Sequence, residues 1–203
     1  MMGIVEVFNK GGVLVYPLLI LFFWGVAIIV VKWFALRREN IIKPGAVQQV
    51  ESLLLAKKIP EATAYCKKNA APMTRILEAA ILNHDKNEAD LKEILEEAGR
   101  QEVPKIRGQL TTLGTIASVA PLLGLLGTVL GMISVFSELS QDANVNASAL
   151  AGGISEALIT TACGLGIAMP TLAFYNYFTS LVQNLIVEIE KVSLHMIAVL
   201  KRG

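Results

Sequence analysis

The sequence predicts an all-α membrane protein with three long transmembrane helices and a cytoplasmic helical domain. Hydrophobic residues make up 54% of the chain and the mean hydropathy is +0.56, both above the usual composition of soluble proteins. Three apolar stretches are each long enough to cross about 30 Å of hydrocarbon as a helix. No lysine or arginine occurs from Gly108 through Glu190. This segregation of charge argues for membrane spans and against nucleic-acid binding.

In chain order, the sequence divides into a short N-terminal interfacial segment (1–12), a first transmembrane helix (13–33), a cytoplasmic helical domain (34–107), a second transmembrane helix (108–136), a periplasmic connector (137–147), a third transmembrane helix (148–178) and a cytoplasmic C-terminal helix (179–203). The first apolar run is uncharged and longer than a signal-peptide core, so we expect a retained spanning helix. The leader before it holds apolar residues whose helical spacing predicts a helix in the interface plane: Ile4, Val5, Val7 and Phe8.

The second and third spans follow from apolar stretches at Leu110 to Phe136 and Ala147 to Phe178. Both are longer than a bilayer requires, which predicts tilted helices or helices that extend beyond the membrane. Basic residues follow the first span, precede the second and follow the third, whereas the connector around Glu138 and Asp142 has none. By the positive-inside rule, the amino terminus faces the periplasm, and the central domain and the carboxyl terminus face the cytosol.

The segment 34–107 is predicted to form a helical hairpin, because it is short and highly charged and its apolar residues recur at helical intervals. Asn87 is placed to cap a helix with Leu91 and Leu95 on its buried face. Pro104 is expected to break or bend the chain just before the second span. After the third span, an apolar stripe continues almost to the carboxyl terminus and predicts a helix that packs against its neighbours.

No residue pattern indicates enzyme chemistry. His84 and His195 do not belong to clusters suited to zinc, and the sequence has neither a P-loop nor a nucleophile elbow. Cys66 and Cys163 fall in segments assigned to the cytosol and the membrane, so inert packing is expected instead of a disulfide. The chain is therefore expected to be no enzyme and to hold no metal or cofactor.

Glu156 is the only carboxylate inside a predicted span that also lacks basic residues. Ionisable residues within membrane spans are rare and commonly mark ion pathways. A carboxyl that only fixes helix register is the alternative, but the spans offer it no basic partner. Burial without a cation favours reversible protonation, which a proton relay requires. On an ideal helix Glu156 shares a face with Gly152, Thr160 and Cys163, while Thr161 lies toward a flank.

Small residues occur in both later spans at a spacing that lets helices approach closely. They are Gly124, Gly127, Thr128 and Gly131 in the second span, and Gly152, Gly153, Gly164 and Gly166 in the third. Taken alone, Gly127 and Gly131 form a generic packing motif. Next to Glu156, however, neighbouring hydroxyl groups form a polar strip that flanks the carboxylate, which favours a role beyond packing.

Two stretches resemble the ExbB, TolQ and MotA proton-channel family. They are APLLGLLGTVLGMI, from Ala120 to Ile133, and GISEALITT, from Gly153 to Thr161, which is continued by GLGIAMP from Gly164 to Pro170. Three spans and a modest length look like the ExbB/TolQ branch, since MotA proteins have four spans and a larger chain.

The resemblance implies a homopentamer whose second and third spans line a central pore in the bacterial inner membrane. A dimeric, single-span ExbD- or TolR-like partner would occupy that pore and carry its aspartate. Proton-pathway roles are implied for Glu156, Thr128 and Thr161, with Thr160 as an additional hydroxyl. Packing or pore-lining roles are implied for Gly124, Gly127, Gly131, Gly152, Gly164 and Pro170.

Proton flow would then drive the partner and transmit force to a periplasmic TonB- or TolA-like protein. TonB-type import is placed ahead of Tol-type function, and protons ahead of sodium ions. The alternative hypothesis is a nonconducting membrane scaffold that assembles a partner helix, in which Glu156 supplies only a structural hydrogen bond. Proton flux through the chain and its partner separates these two hypotheses.

Overall fold

The computed structural model describes residues 12–141 and 147–202, and every regular element within these ranges is an α-helix. The predicted interfacial leader and the central part of the predicted connector lie outside the described residues. The helices are α1 (Val15–Ala35), α2 (Arg38–Ile41), α3 (Pro44–Leu55), α4 (Ile59–Lys68), α5 (Pro72–Leu82), α6 (Glu88–Arg107), α7 (Leu110–Gln141) and α8 (Ala147–Arg202).

The predicted all-α fold with three membrane-spanning helices is confirmed at the level of helix length and composition. The helices that are long and apolar enough to cross a membrane cover Val15–Ala35, Leu110–Ser137 and Leu150–Lys201 in the described part of the chain. Helix α7 continues to Gln141, so the predicted connector begins inside this helix. Helix α8 joins the predicted third span and the predicted C-terminal helix into one element. The apolar stripe continues after Pro170 without interruption, and the helix continues with it.

The chain divides into two compact units. One, here called the apolar unit, contains the described residues up to Val30 together with Gln109–Asn176. The other, here called the charged unit, contains Val31–Gly108 and the rest of the chain from Tyr177. Helices α1 and α8 each contribute residues to both units.

Three helices form the core of the apolar unit. Leu18 of α1, Ala120 of α7 and Ala168 of α8 are buried against one another, and Leu21, Leu123, Cys163 and Ile167 pack around them. Gly25 of α1 also lies close to Ile116 and Thr171, since a Cβ at Gly25 would be 3.8 Å from both side chains. The first span is therefore packed against the two glycine-rich spans.

The prediction of a helical hairpin for residues 34–107 is wrong, because this segment forms the five helices α2 to α6. Prolines in the first turns of α3, α4 and α5 explain the subdivision. Proline is favoured at the start of a helix and cannot continue the preceding one. Helix α5 packs against α4 and α6, and α4 packs against α3.

The predicted cap at Asn87 is confirmed, because its side chain accepts a hydrogen bond of 2.8 Å from the backbone N–H of Asp90. Leu91 and Leu95 are buried on the inner face of α6. Pro104, in contrast, lies inside α6 and does not end it. The chain turns after Gly108, where Gln109 has a φ of 28°, so the predicted break occurs after the proline.

The second half of α8 belongs to the charged unit through both apolar and polar contacts. Its buried residues include Leu185, Ile189 and Met196. Glu188 forms an ion pair with Arg38, and His195 lies 2.8 Å from a carboxylate oxygen of Glu51. These contacts explain why the helix continues beyond its most apolar part.

Candidate functional site

Helices α7 and α8 approach so closely that glycine is required at their contact. A Cβ at Gly164 would lie 2.6 Å from the backbone oxygen of Ala120, and one at Gly124 would lie 3.0 Å from the Cα of Thr161. Further along, a Cβ at Gly127 would lie 2.5 Å from the Cγ2 of Thr160. Backbone contact of this kind is how small residues let membrane helices associate.

The three threonines with predicted proton-pathway roles have different surroundings. Thr161 donates a hydrogen bond of 2.7 Å across the helix contact to the carbonyl of Gly124. Thr160 is buried and donates to the backbone carbonyl of Glu156 at 2.8 Å. Thr128 donates to the carbonyl of Leu125 at 2.6 Å within α7. Thr161 therefore joins the two helices, while the other two hydroxyls donate within their own helices.

Glu156 lines a cavity of about 340 Å³ in the apolar unit, here called the Glu156 cavity. Val13 and Leu14 line it from the turn that leads into α1, Leu130 and Ser134 from α7, and Glu156 and Thr160 from α8. Gly127, Gly131, Val135 and Gly153 complete the wall. The cavity thus combines a carboxylate and two hydroxyls with apolar side chains.

The carboxylate of Glu156 also contacts the backbone that begins the first helix. Its Oε1 atom occupies the place where a Cβ on Gly12 would stand. Gly12 has a φ of +63°, which is a conformation that residues with a Cβ rarely adopt. The backbone conformation therefore favours glycine at residue 12, and a Cβ there would displace the end of the Glu156 side chain.

Glu156 is exposed in the single chain and has no cationic partner among the described residues. Within residues 12–141 and 147–202, each ion pair is formed by a carboxylate other than that of Glu156. A carboxylate in a membrane span is costly unless water or polar groups solvate it. Among the described residues, the side-chain polar groups beside Glu156 in the cavity wall are the hydroxyl groups of Ser134 and Thr160.

The structure places some of the predicted site residues together and others apart. Glu156, Thr160, Gly127 and Gly131 line one cavity, whereas Thr128 and Pro170 do not. A Cβ at Gly152 would meet no atom within 4 Å in the described part of the chain, so Gly152 makes no close packing contact there. The proton-pathway and pore-lining roles of all the predicted site residues stay predictions.

Sequence reasoning misses Gly12, Leu14 and Ser134, which the fold brings to Glu156. The pair Gly11 and Gly12 before the first apolar run is a turn signal that marks the start of the span. Ser134 is one helical turn beyond Gly131 in α7. Neither signal indicates which helix faces the carboxylate.

Outside the Glu156 cavity, the cysteine, histidine and acidic side chains of the described residues do not form a second candidate site. Cys163 packs around the core of the apolar unit, and Cys66 is buried in the charged unit. In the part of the chain that the structure describes, no group of histidine, cysteine, aspartate and glutamate residues is arranged to hold a metal ion.

Fold and site together define a class: a helical membrane protein in which glycine-rich spans place one carboxylate beside a polar cavity. The sequence matches the MotA/TolQ/ExbB proton channel family over residues 68–191, which is more than half of the chain. The chain belongs to this family, in its ExbB/TolQ branch. This family consists of proton-channel and transport subunits and is not an enzyme family.

Individual relatives agree with this membership. A Synechocystis sp. protein described as putative biopolymer transport protein ExbB-like 3 is 37% identical over 174 residues, which cover 84% of this chain and 82% of the relative. A putative biopolymer transport protein ExbB homolog from Methanothermobacter thermautotrophicus is 30% identical over 192 residues, covering 94% and 67%. The Tol-Pal system protein TolQ of Haemophilus influenzae is 40% identical over 79 residues, covering 39% and 35%.

Proposed function

We propose that this chain is the channel subunit of an inner-membrane complex that uses the proton motive force to transmit force or drive transport at the outer membrane. The observation that carries the proposal is Glu156, a carboxylate without a cationic partner in the described chain, which lines a polar cavity between spans that lack basic residues. Family membership supports proton conduction as the reason for this arrangement.

The chain is proposed to act as a homopentamer around a single-span, ExbD- or TolR-like dimer. The pentamer is proposed from membership of the family. Leu122, Leu125 and Leu158 on α7 and α8 are each more than half exposed in the single chain, at 62%, 56% and 62%, and either lipid or a neighbouring helix can cover them. The partner helix is proposed because ExbB and TolQ family members work with ExbD- or TolR-like partners. In the complex, Glu156 sets the hydration and the negative charge along the route of the protons. An aspartate of the partner completes this route.

Basic residues set the proposed orientation. Lys32, Arg37 and Arg38 lie at or just after the end of α1, and Lys201 lies near the end of α8. The positive-inside rule then places the amino terminus in the periplasm and the charged unit in the cytosol.

A TonB-type role is proposed ahead of a Tol-type role. The ExbB-named relatives from Synechocystis sp. and Methanothermobacter thermautotrophicus align over most of this chain, whereas the TolQ relative aligns over 39% of it. A TonB-like protein is accordingly the proposed recipient of the force.

Proton flux into liposomes tests the proposal. The chain is reconstituted with its single-span partner, a proton gradient is imposed, and internal pH is followed with a dye. Glu156→Gln should lower the flux by about a hundredfold, because the amide removes the negative charge that attracts protons and water to the path. Glu190→Gln, on the exposed cytosolic part of the same helix, should leave the flux within about twofold. No flux from the unsubstituted complex would favour the nonconducting scaffold.

A further inference from the structure

We infer that the charged unit carries a binding site for the headgroup of an anionic phospholipid at the end of the first span. In this site Arg37 binds the phosphate, and the rings of Trp33 and Tyr177 contact the lipid beside it. The inference is independent of proton conduction. It follows from the packing of aromatic rings and from the contrast between two neighbouring arginines.

Aromatic side chains from two membrane-spanning helices meet at this site. Trp33, in the last turn of α1, stacks on Tyr177 of α8 with ring centroids 6.1 Å apart and 28° between the ring planes. The buried ring of Phe178 contacts both. Trp33 and Tyr177 nevertheless remain 50% and 53% exposed. Rings with an apolar body and a polar tip are favoured at the level of the lipid headgroups, so this pair indicates where the membrane surface lies.

Arg37 supplies a positive charge about one helical turn beyond Trp33. The central carbon of its guanidinium lies 5.5 Å from the centroid of the exposed Phe34 ring. Cation–π attraction holds an arginine at such a position, and the N–H donors stay in the plane of the guanidinium. This planar fork matches two oxygens of one phosphate group. The arginine is therefore held in place for a phosphate at the membrane surface.

Two neighbouring basic residues are already engaged by the protein. Lys32 is buried, and its Nζ donates a hydrogen bond of 3.1 Å to the backbone carbonyl of Ile106. Arg38 forms an ion pair with Glu188. In the part of the chain that the structure describes, by contrast, no carboxylate forms an ion pair with Arg37. A phosphate group supplies the negative charge that Arg37 does not receive from these residues.

Net charge selects anionic phospholipids over zwitterionic ones. The headgroup of phosphatidylcholine adds a quaternary ammonium, which an arginine repels, whereas phosphatidylglycerol adds no positive charge. A basic residue near the surface of an anionic membrane gains about fivefold in affinity, equivalent to about 1 kcal/mol. The aromatic rings favour the membrane surface whatever its charge. Arg37 is therefore expected to set the preference for negative lipid at this site.

Quenching of Trp33 fluorescence by brominated lipid measures this preference. The sequence has two tryptophans, so Trp24→Phe leaves Trp33 as the reporter. The full chain is reconstituted into vesicles of phosphatidylglycerol and phosphatidylcholine, in which one lipid or the other carries bromine. Both leaflets have the same composition, so the orientation of the chain does not affect the result. Phosphatidylglycerol should be preferred about fivefold beside Trp33.

Arg37→Gln and Arg38→Gln are a matched pair, because each removes one positive charge from adjacent positions of the Trp24→Phe chain. Arg37→Gln should lower the preference by about fivefold, to nearly equal quenching by the two lipids. Arg38→Gln should leave the preference within about twofold, since Glu188 already pairs with this arginine. Equal losses in the two variants would overturn the inference, because general surface charge would then explain the preference.

The Trp24→Phe chain also tests the site without any change of charge. Raising NaCl to about 1 M should remove most of the preference by screening, and an unchanged preference would overturn the inference. Equal quenching by the two lipids at low salt would overturn it as well. So would a lack of quenching by either lipid, because protein would then cover Trp33. These readouts do not involve proton flux, so a failure of the proposed function leaves the inference intact.

Discussion

Glu156 is held by residues that lie far from it in the sequence as well as by its own helix. Its carboxylate contacts the backbone at Gly12, and its backbone carbonyl accepts the hydroxyl of Thr160. The helical pattern of α8 correctly groups Glu156 with Thr160 on one face, but it gives no information about the turn before α1. A contact of this kind depends on how three helices pack, which periodicity within one helix does not specify.

Gly12→Ala tests the contact at the start of α1. The new methyl group would occupy the place of the carboxylate oxygen and would also strain a backbone with a φ of +63°. We expect proton flux to fall by about tenfold, since the displaced carboxylate would no longer place its charge at this point of the path. Gly45→Ala is the control, because a Cβ there meets nothing within 4 Å. Equal flux in the two variants would show that the position of the carboxylate at Gly12 does not matter.

Cys66 is predicted to be unreactive because burial, with a smaller contribution from Glu78, raises the pKa of its thiol to about 11. Alkylation requires the thiolate, so the folded protein at pH 8 should react about a hundredfold more slowly than an exposed cysteine, and the rate should rise as the pH approaches 11. Mass spectrometry of the Cys66 peptide after iodoacetamide treatment measures this. An exposed thiol from Ser52→Cys in a Cys66→Ala chain is the control, and equal rates would contradict the prediction.

At the scale of elements, the glycines of α7 and α8 act through backbone contact. Gly164 lies against the backbone oxygen of Ala120, whereas a Cβ added at Gly166, two residues along the same helix, would meet no atom within 4 Å in the described chain. Sequence spacing identifies both as small residues but does not distinguish the contacting glycine from the exposed one. Contact depends on the rotation of each helix about its axis.

Gly164→Ala should therefore destabilise the protein by about 1–3 kcal/mol, because the neighbouring atom is backbone and cannot move aside easily. Gly166→Ala should be neutral or stabilising by about 0.5–1 kcal/mol, since alanine favours a helix interior. Thermal unfolding of the protein in detergent compares the two variants. A midpoint for Gly164→Ala at or above that of Gly166→Ala would contradict a close α7–α8 contact.

The charged unit shows a different limit of sequence reasoning. The cap at Asn87 and the buried face of α6 follow from local pattern and are confirmed. The hairpin is wrong because prolines near the starts of three helices divide the segment more finely than its apolar spacing indicates. Glu102 illustrates what only the fold shows, since it is buried yet paired with Arg75 at 3.2 Å and Lys105 at 2.5 Å. Sequence pattern alone assigns such a carboxylate to the solvent.

At the scale of the whole molecule, one chain combines an apolar unit that carries the carboxylate with a charged unit built from shorter helices. Helices α1 and α8 contribute to both, so residues of the spans continue directly into the charged unit. Composition and charge segregation are sufficient to predict the three spans. The membrane potential can supply energy for the proposed function, because one proton crossing about 100 mV releases roughly 2.3 kcal/mol.

Proton flux through the reconstituted complex, compared between Glu156→Gln and Glu190→Gln, tests the central claim most directly. The account predicts that Glu156→Gln retains assembly with the partner but loses flux by about a hundredfold, while Glu190→Gln conducts like the unsubstituted complex. Assembly is checked by size-exclusion chromatography of the same samples. An assembled Glu156→Gln complex with undiminished proton flux would contradict the account.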